Sequence, residues 1–184
     1  MKNFSAILLL SIALSASSQN SYQLNSTVNN FTISRLINAP ADAGSLKTFQ
    51  KEITILDFFA TWCVPCIKAL PNLSSLKNKY PDKLSILLVS TEEEERLKKF
   101  VAARNGFVFP VVVDANSSIS NLFQPPSFPY TVVLNNENKI IAITDAGSIT
   151  EADINAWLAG KNETKPASLP ASEKSFAHCH YHEQ

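Results

Sequence analysis

Two apolar, β-branched runs, "ITILDFFA" at Ile53–Ala60 and "LSILLVS" at Leu84–Ser90, bracket a stretch in which Ile67, Leu70, Leu73, Leu76 and Tyr80 recur at helical spacing. Runs of this kind read as strands buried on both faces, because a strand with one wet face alternates polar and apolar residues instead. The spacing between them lines one stripe of a helix, which Pro81-Asp82 closes. The central unit is therefore strand, helix, strand.

Elements on either side extend it. Phe31–Ile37 reads as a further strand and Pro40–Gly44 as a turn. After the unit, Ser90 and Glu93 form a capping-box pattern that opens a helix with Leu97, Phe100 and Val101 on its apolar face, ending near Asn105-Gly106. "PVVVDA" is another strand. Beyond a polar, proline-rich passage from Ser117 to Pro129, "YTVVLN" and "KIIAITDAG" are joined by Asn136-Glu137-Asn138 as a hairpin. A last helix from Thr150 carries Ile154, Trp157 and Leu158 and stops at Gly160. Alternating strands and helices followed by an antiparallel hairpin predict one α/β domain, about 130 residues over 31–160, with a mixed sheet and helices on both faces.

The ends differ in character. Lys2, the apolar or small residues Phe4–Ala16 and the small residues Ala16-Ser17-Ser18 before Gln19 make 1–18 a signal peptide. Its apolar run falls far short of the roughly 20 residues of a spanning helix, so the mature chain is expected to be exported to the periplasm or secreted, not membrane-spanning. Disulfides persist in such compartments. Residues 19–30, rich in Ser, Asn, Gln and Thr, suit a flexible leader, and 161–184 form a polar, proline-containing tail. With 16 basic and 16 acidic side chains the chain has no electrostatic footprint for nucleic acid. The one charge run, Glu92–Glu95 followed by Arg96, Lys98 and Lys99, reads as a solvated helix face.

Within this layout "FFATWCVPCIKALP" (58–71) puts Cys63 where a buried strand gives way to a helix and Cys66 one turn further on. A helix N-terminus favours an anion, so the Cys63 thiolate is expected to be stabilised, exposed and nucleophilic. Cys66, nearer the packed side, can attack a mixed disulfide formed on Cys63. Two other readings of the pair are a staple and half of a zinc site. A staple closing so small a loop constrains the unfolded chain little. A zinc half-site needs two more ligands, and the remaining Cys and all three His are in the tail. A peroxide-reducing cysteine would want Thr or Ser three residues earlier and Pro seven earlier, where this chain has Ala60 and Leu56.

The segment "ILDFFATWCVPCIKALP" resembles the active-site segment of thioredoxins and, with the signal peptide, most resembles the exported TlpA/ResA-like thioredoxins. The resemblance covers roughly 31–160. It implies a thioredoxin fold and thiol–disulfide exchange, with Cys63 attacking, Cys66 resolving, Trp62 shielding the pair and Pro71 in the active-site helix. It makes Asp57 the buried proton acceptor for the second cysteine, and a carboxyl on a buried strand has the raised pKa which that role needs. Pro129 matches the cis-proline facing the cysteines, and Phe128 before it departs from the small or β-branched residue usual there, making the substrate groove more apolar or more occluded. No His lies between the cysteines, so a reductant or modest exchanger is expected, with no required cofactor beyond the redox-active disulfide. Protein disulfides would be the substrates and a membrane thiol electron donor would recharge the pair.

The tail sequence "HCHYH" adds His178, Cys179, His180 and His182, donors suited to Cu or Zn. The alternative function is accordingly a metal-handling protein on a thioredoxin scaffold.

Overall fold

The computed structural model describes residues 21–41 and 43–161. The signal-peptide and tail-metal expectations, including His178, Cys179, His180 and His182, lie outside the described residues.

The elements run β1 (Thr32–Ile33), β2 (Leu36–Ile37), β3 (Gly44–Ser45), α1 (Leu46–Phe49), β4 (Ile53–Phe58), α2 (Val64–Lys79), β5 (Leu84–Ser90), α3 (Glu94–Ala102), β6 (Val111–Val113), α4 (Ser120–Phe123), β7 (Tyr130–Asn135), β8 (Ile140–Thr144) and α5 (Glu151–Leu158). Six strands form one sheet in the order β2-β6-β5-β4-β7-β8. The β4–β5 and β5–β6 pairs are parallel, and β2–β6, β4–β7 and β7–β8 are antiparallel. This is the expected mixed sheet.

Strand alternation sorts the core into two layers. Ile53 and Ile55 of β4 pack with Leu73 of α2, Leu97 of α3 and Ile154 of α5, whereas Leu56 and Phe58 face Leu46 of α1 and Phe123 of α4. Helices therefore cover both faces. The central strands β4 and β5 are buried along their whole length, which explains their unbroken apolar runs. Gly160, with φ of 71°, ends α5 and lets the Lys161 N–H reach the Ala156 carbonyl at 2.9 Å.

Three expectations need correction. The single strand at Phe31–Ile37 is two: β1 pairs with β3 in a separate two-stranded sheet, and β2 pairs with β6 at the edge of the main one. Ile33 and Leu36 are both buried at a spacing of three, which a flat strand of period two cannot provide. The capping box of Ser90 and Glu93 does not form, because Ser90 remains in β5, its carbonyl accepting from Asp114 N–H at 2.8 Å. Glu93 itself occupies the cap position of α3 without a side-chain capping bond.

The third correction concerns residues 21–30 of the leader, which pack against the sheet. Asn25 N–H donates to Ile140 O, Ile140 N–H to Ser26 O and Val28 N–H to Asn138 O, at 2.8–2.9 Å. Thr27 and Lys139 form an antiparallel bridge. Val28 is buried, and the rings of Tyr22 and Phe123 lie 5.2 Å apart. The segment pairs with the start of β8 at Ile140 and with the two residues before it, and a polar composition does not disclose that backbone role.

Candidate active site

Strand β4 delivers the chain to the front of the sheet, and the Phe59–Thr61 stretch turns it into α2. Cys63 is the N-cap of α2, with Pro65 in the first turn, where its missing N–H removes no helical bond. Cys63 and Cys66 are joined as a disulfide with an S–S distance of 2.05 Å. The Cys66 N–H donates to Cys63 Sγ at 3.3 Å. An orphan helix donor is thus already aimed at the sulfur on which a thiolate would develop.

Cys63 is not the open thiol expected from the sequence. It is 4% exposed against 0% for Cys66, so both are buried, while the flanking Trp62 and Val64 are 55% and 60% exposed. The helix N-terminus presents its sulfur at the base of an apolar rim. Trp62 and Phe128 form that rim together, with ring centroids 6.1 Å apart. Phe128 is joined to Pro129 by a cis peptide at the start of β7. Further along α2, Pro71 lies inside the helix, and the next residue, Asn72, donates to the Ala146 and Ile149 carbonyls at 3.2 and 2.9 Å. These bonds tie the helix to the turn after β8.

Asp57 lies opposite Thr131 in the β4–β7 register, on the α2 side of the sheet with Ile53 and Ile55. It is fully buried. Thr131 Oγ1 donates to Asp57 Oδ1 at 2.7 Å, and Oδ2 has no hydrogen-bond partner among the described residues. Burial pushes the carboxyl from an ordinary 3.8 up to about 7; the Thr131 bond opposes this and the nearby Asp145 charge adds to it. A carboxyl so placed can exchange a proton near neutral pH.

Cys63, Cys66, Trp62, Phe128 and Pro129 thus meet at one end of the sheet, with Asp57 in the buried layer behind. Thr131 was not singled out in the sequence, although its place two residues after Pro129 follows from strand alternation. Glu92 was read as part of a solvated helix face, and that needs correction: it precedes α3, its side chain is 12% exposed, and it binds Thr61 in the cysteine loop. Among the described residues no group of three or more His, Cys, Asp or Glu could hold a metal ion. Among them, too, no helix is long and apolar enough to cross a membrane.

Residues 50–140 match a family model described as thioredoxin-like. Thioredoxin-like protein YneN of Bacillus subtilis is 28% identical over 116 residues, 61% of this chain and 67% of that protein. Sporulation thiol-disulfide oxidoreductase A of the same organism is 27% identical over 108 residues, 56% of this chain and 65% of its own length. The chain spans about two thirds of the length of these curated relatives. The thioredoxin domain of a thiol-disulfide oxidoreductase from Bacteroides vulgatus superposes with a TM-score of 0.59 at 22% identity, covering 78% of this chain and 100% of that one.

Proposed function

We propose, from the match of residues 50–140 to the thioredoxin-like family model, that the protein is a thiol–disulfide oxidoreductase which reduces protein disulfides through Cys63 and Cys66. The observation that carries the reading is a Cys63–Cys66 disulfide at the N-terminus of α2 with a carboxyl held at about 7 on the same side of the sheet. The names of the relatives, thiol-disulfide oxidoreductases among them, support it.

In the reduced state the Cys63 thiolate attacks one sulfur of the substrate disulfide. A mixed disulfide forms and the other substrate sulfur leaves as a thiolate, which takes up a proton. Cys66 then gives its proton to the Asp57 carboxylate and attacks Cys63 Sγ. The Cys63–Cys66 disulfide forms and the second substrate sulfur leaves as a thiolate, which takes up a proton from solvent, while Asp57 returns the Cys66 proton to solvent. Two electrons have moved to the substrate, and the two protons it gains balance those released by Cys63 on ionising and by Cys66. Trp62, Phe128 and Pro129 make the rim on which the substrate segment lies, and the apolar ring pair favours an apolar side chain beside the target cysteine.

The spent disulfide is recharged by a thiol donor in the membrane, and the working compartment is the periplasm or the exterior, reached through the signal peptide at 1–18. The Val64-Pro65 pair, lacking a His to hold the thiolate, fits a reductant.

The test is a Cys66→Ser variant mixed with insulin, whose interchain disulfides serve as the probe. A stable mixed disulfide on Cys63 is expected, with none formed by Cys63→Ser. Failure of both the wild type to reduce insulin and the variant to trap it would remove the proposal.

A further inference from the structure

The loop between β4 and α2 buries Phe59, Ala60 and Cys63 in the core and leaves Trp62 exposed, so Thr61 and Trp62 are the part of it that packing holds least. At its ends the backbone is anchored: Phe59 N–H donates to Val89 O and Cys63 N–H to Ala60 O, both at 3.0 Å. Thr61, between them, bonds elsewhere. Its N–H donates to Glu92 Oε2 at 2.6 Å and its hydroxyl to Glu92 Oε1 at 2.7 Å. One carboxylate therefore takes both Thr61 donors, an oxygen for each.

Glu92 is itself held. Its N–H donates to Ser90 Oγ at 3.3 Å, Ser90 Oγ also lies 3.3 Å from Oε2, and Arg96 Nε is 3.7 Å from Oε1. Arg96 is 64% exposed and the Glu92 side chain only 12%, so the carboxylate is directed at the cysteine loop, with the guanidinium at its solvent edge. Ionic hydrogen bonds of this length are roughly twice as strong as neutral ones. Strand β5 is central in the sheet, so the carboxylate extends from a rigid support across 31 residues of sequence to a loop two residues from the sulfur.

We propose that Glu92 is a positioning residue for Cys63, acting through Thr61; the proposal rests on the reading of Cys63 as the attacking thiol. Formation of the Cys63–Cys66 bond from the dithiol depends on the effective concentration of one sulfur at the other. That quantity falls steeply when a loop carrying one partner is released. The geometry points to the two Thr61 bonds, and not the charge alone, as the device that keeps it high.

Gln at this position keeps an acceptor for the Thr61 N–H and offers an amide N–H to the Thr61 hydroxyl, which can reverse; Ala keeps neither. The measurement is the equilibrium between each protein and glutathione, in which the dithiol and oxidised glutathione give the protein disulfide and two reduced glutathione molecules. Glu92→Ala is expected to lower that equilibrium constant about tenfold relative to Glu92→Gln, the factor that one hydrogen bond to a charged group is worth. The Gln variant should restore most of the wild-type value. Equal constants for wild type and Glu92→Ala would overturn the proposal, and so would a Gln variant as impaired as the Ala variant, which would assign the effect to charge. Should Glu92→Ala fail to fold, Thr61→Val removes only the hydroxyl contact: a fall of about threefold supports the clamp and an unchanged constant overturns it. A wild-type protein that equilibrates with glutathione but does not reduce insulin, with a Cys66→Ser variant that does not trap it, would refute the reading as a reductase of protein disulfides and leave this comparison intact.

Discussion

Asp57→Asn isolates the buried carboxyl from everything else in the site. Asp57 is fully buried, and its pKa is raised from 3.8 to about 7 in the folded protein. A raised folded pKa means that the folded state favours the protonated acid. The corresponding stability is fully present below about pH 4 and is lost as the pH rises to about 7, beyond which the loss is complete. Between about pH 5 and pH 7 this amounts to two pKa units, or about 3 kcal/mol at 1.36 kcal/mol per unit. Asn is neutral throughout and lacks the pH-dependent part. It keeps an oxygen to accept the Thr131 hydroxyl but leaves its amide N–H groups without a partner, a pH-independent penalty of about 1–3 kcal/mol.

Denaturant unfolding of the oxidised forms at about pH 5 and about pH 8 separates the two contributions. The stability of the variant relative to wild type should rise by about 3 kcal/mol from the lower to the higher pH, whatever the constant offset. Resolution of a mixed disulfide on Cys63 should meanwhile slow, because the variant has no carboxylate to accept the Cys66 proton. A variant whose stability relative to wild type is the same at both pH values would refute the reasoning, since it would mean that Asp57 titrates in its ordinary range.

Thr131→Val removes the one hydrogen bond that lowers the Asp57 pKa, so the pH dependence of mixed-disulfide resolution should move to higher pH. At about pH 8 the variant should also lose about 1.5–3 kcal/mol of stability, the worth of a hydrogen bond to a charged group; an unshifted profile would detach Thr131 from the proton acceptor. Val28→Ala should lower the unfolding free energy by about 2 kcal/mol, the transfer value of its buried methyl groups, whereas a free leader would register no change on chemical denaturation.

What the sequence by itself determined is local. The runs at Ile53–Phe58 and Leu84–Ser90 become the central strands, the spacing from Ile67 to Leu76 becomes α2, and Cys63 lands at its cap. Each of these follows from periodicity within a few residues and from solvent exclusion, which a window of sequence records. Asp57 was singled out by the resemblance to thioredoxins, and its place inside an apolar strand run agreed with the burial that role needs.

The tertiary structure decided what depends on partners far away in the chain. Thr131 meets Asp57 across 74 residues, and Glu92 reaches Thr61 across 31. Neither contact leaves a mark on periodicity, and Glu92 sits in a charge run that is otherwise solvated. The polar residues 21–30 pair with the start of β8 and the two residues before it because backbone groups there accept any backbone, whatever its side chains. Phe31–Ile37 splits between two sheets because its first half pairs with β3 and its second half with β6. Local pattern states what a segment can bury; which backbone or carboxylate it meets is set only when the whole chain has packed.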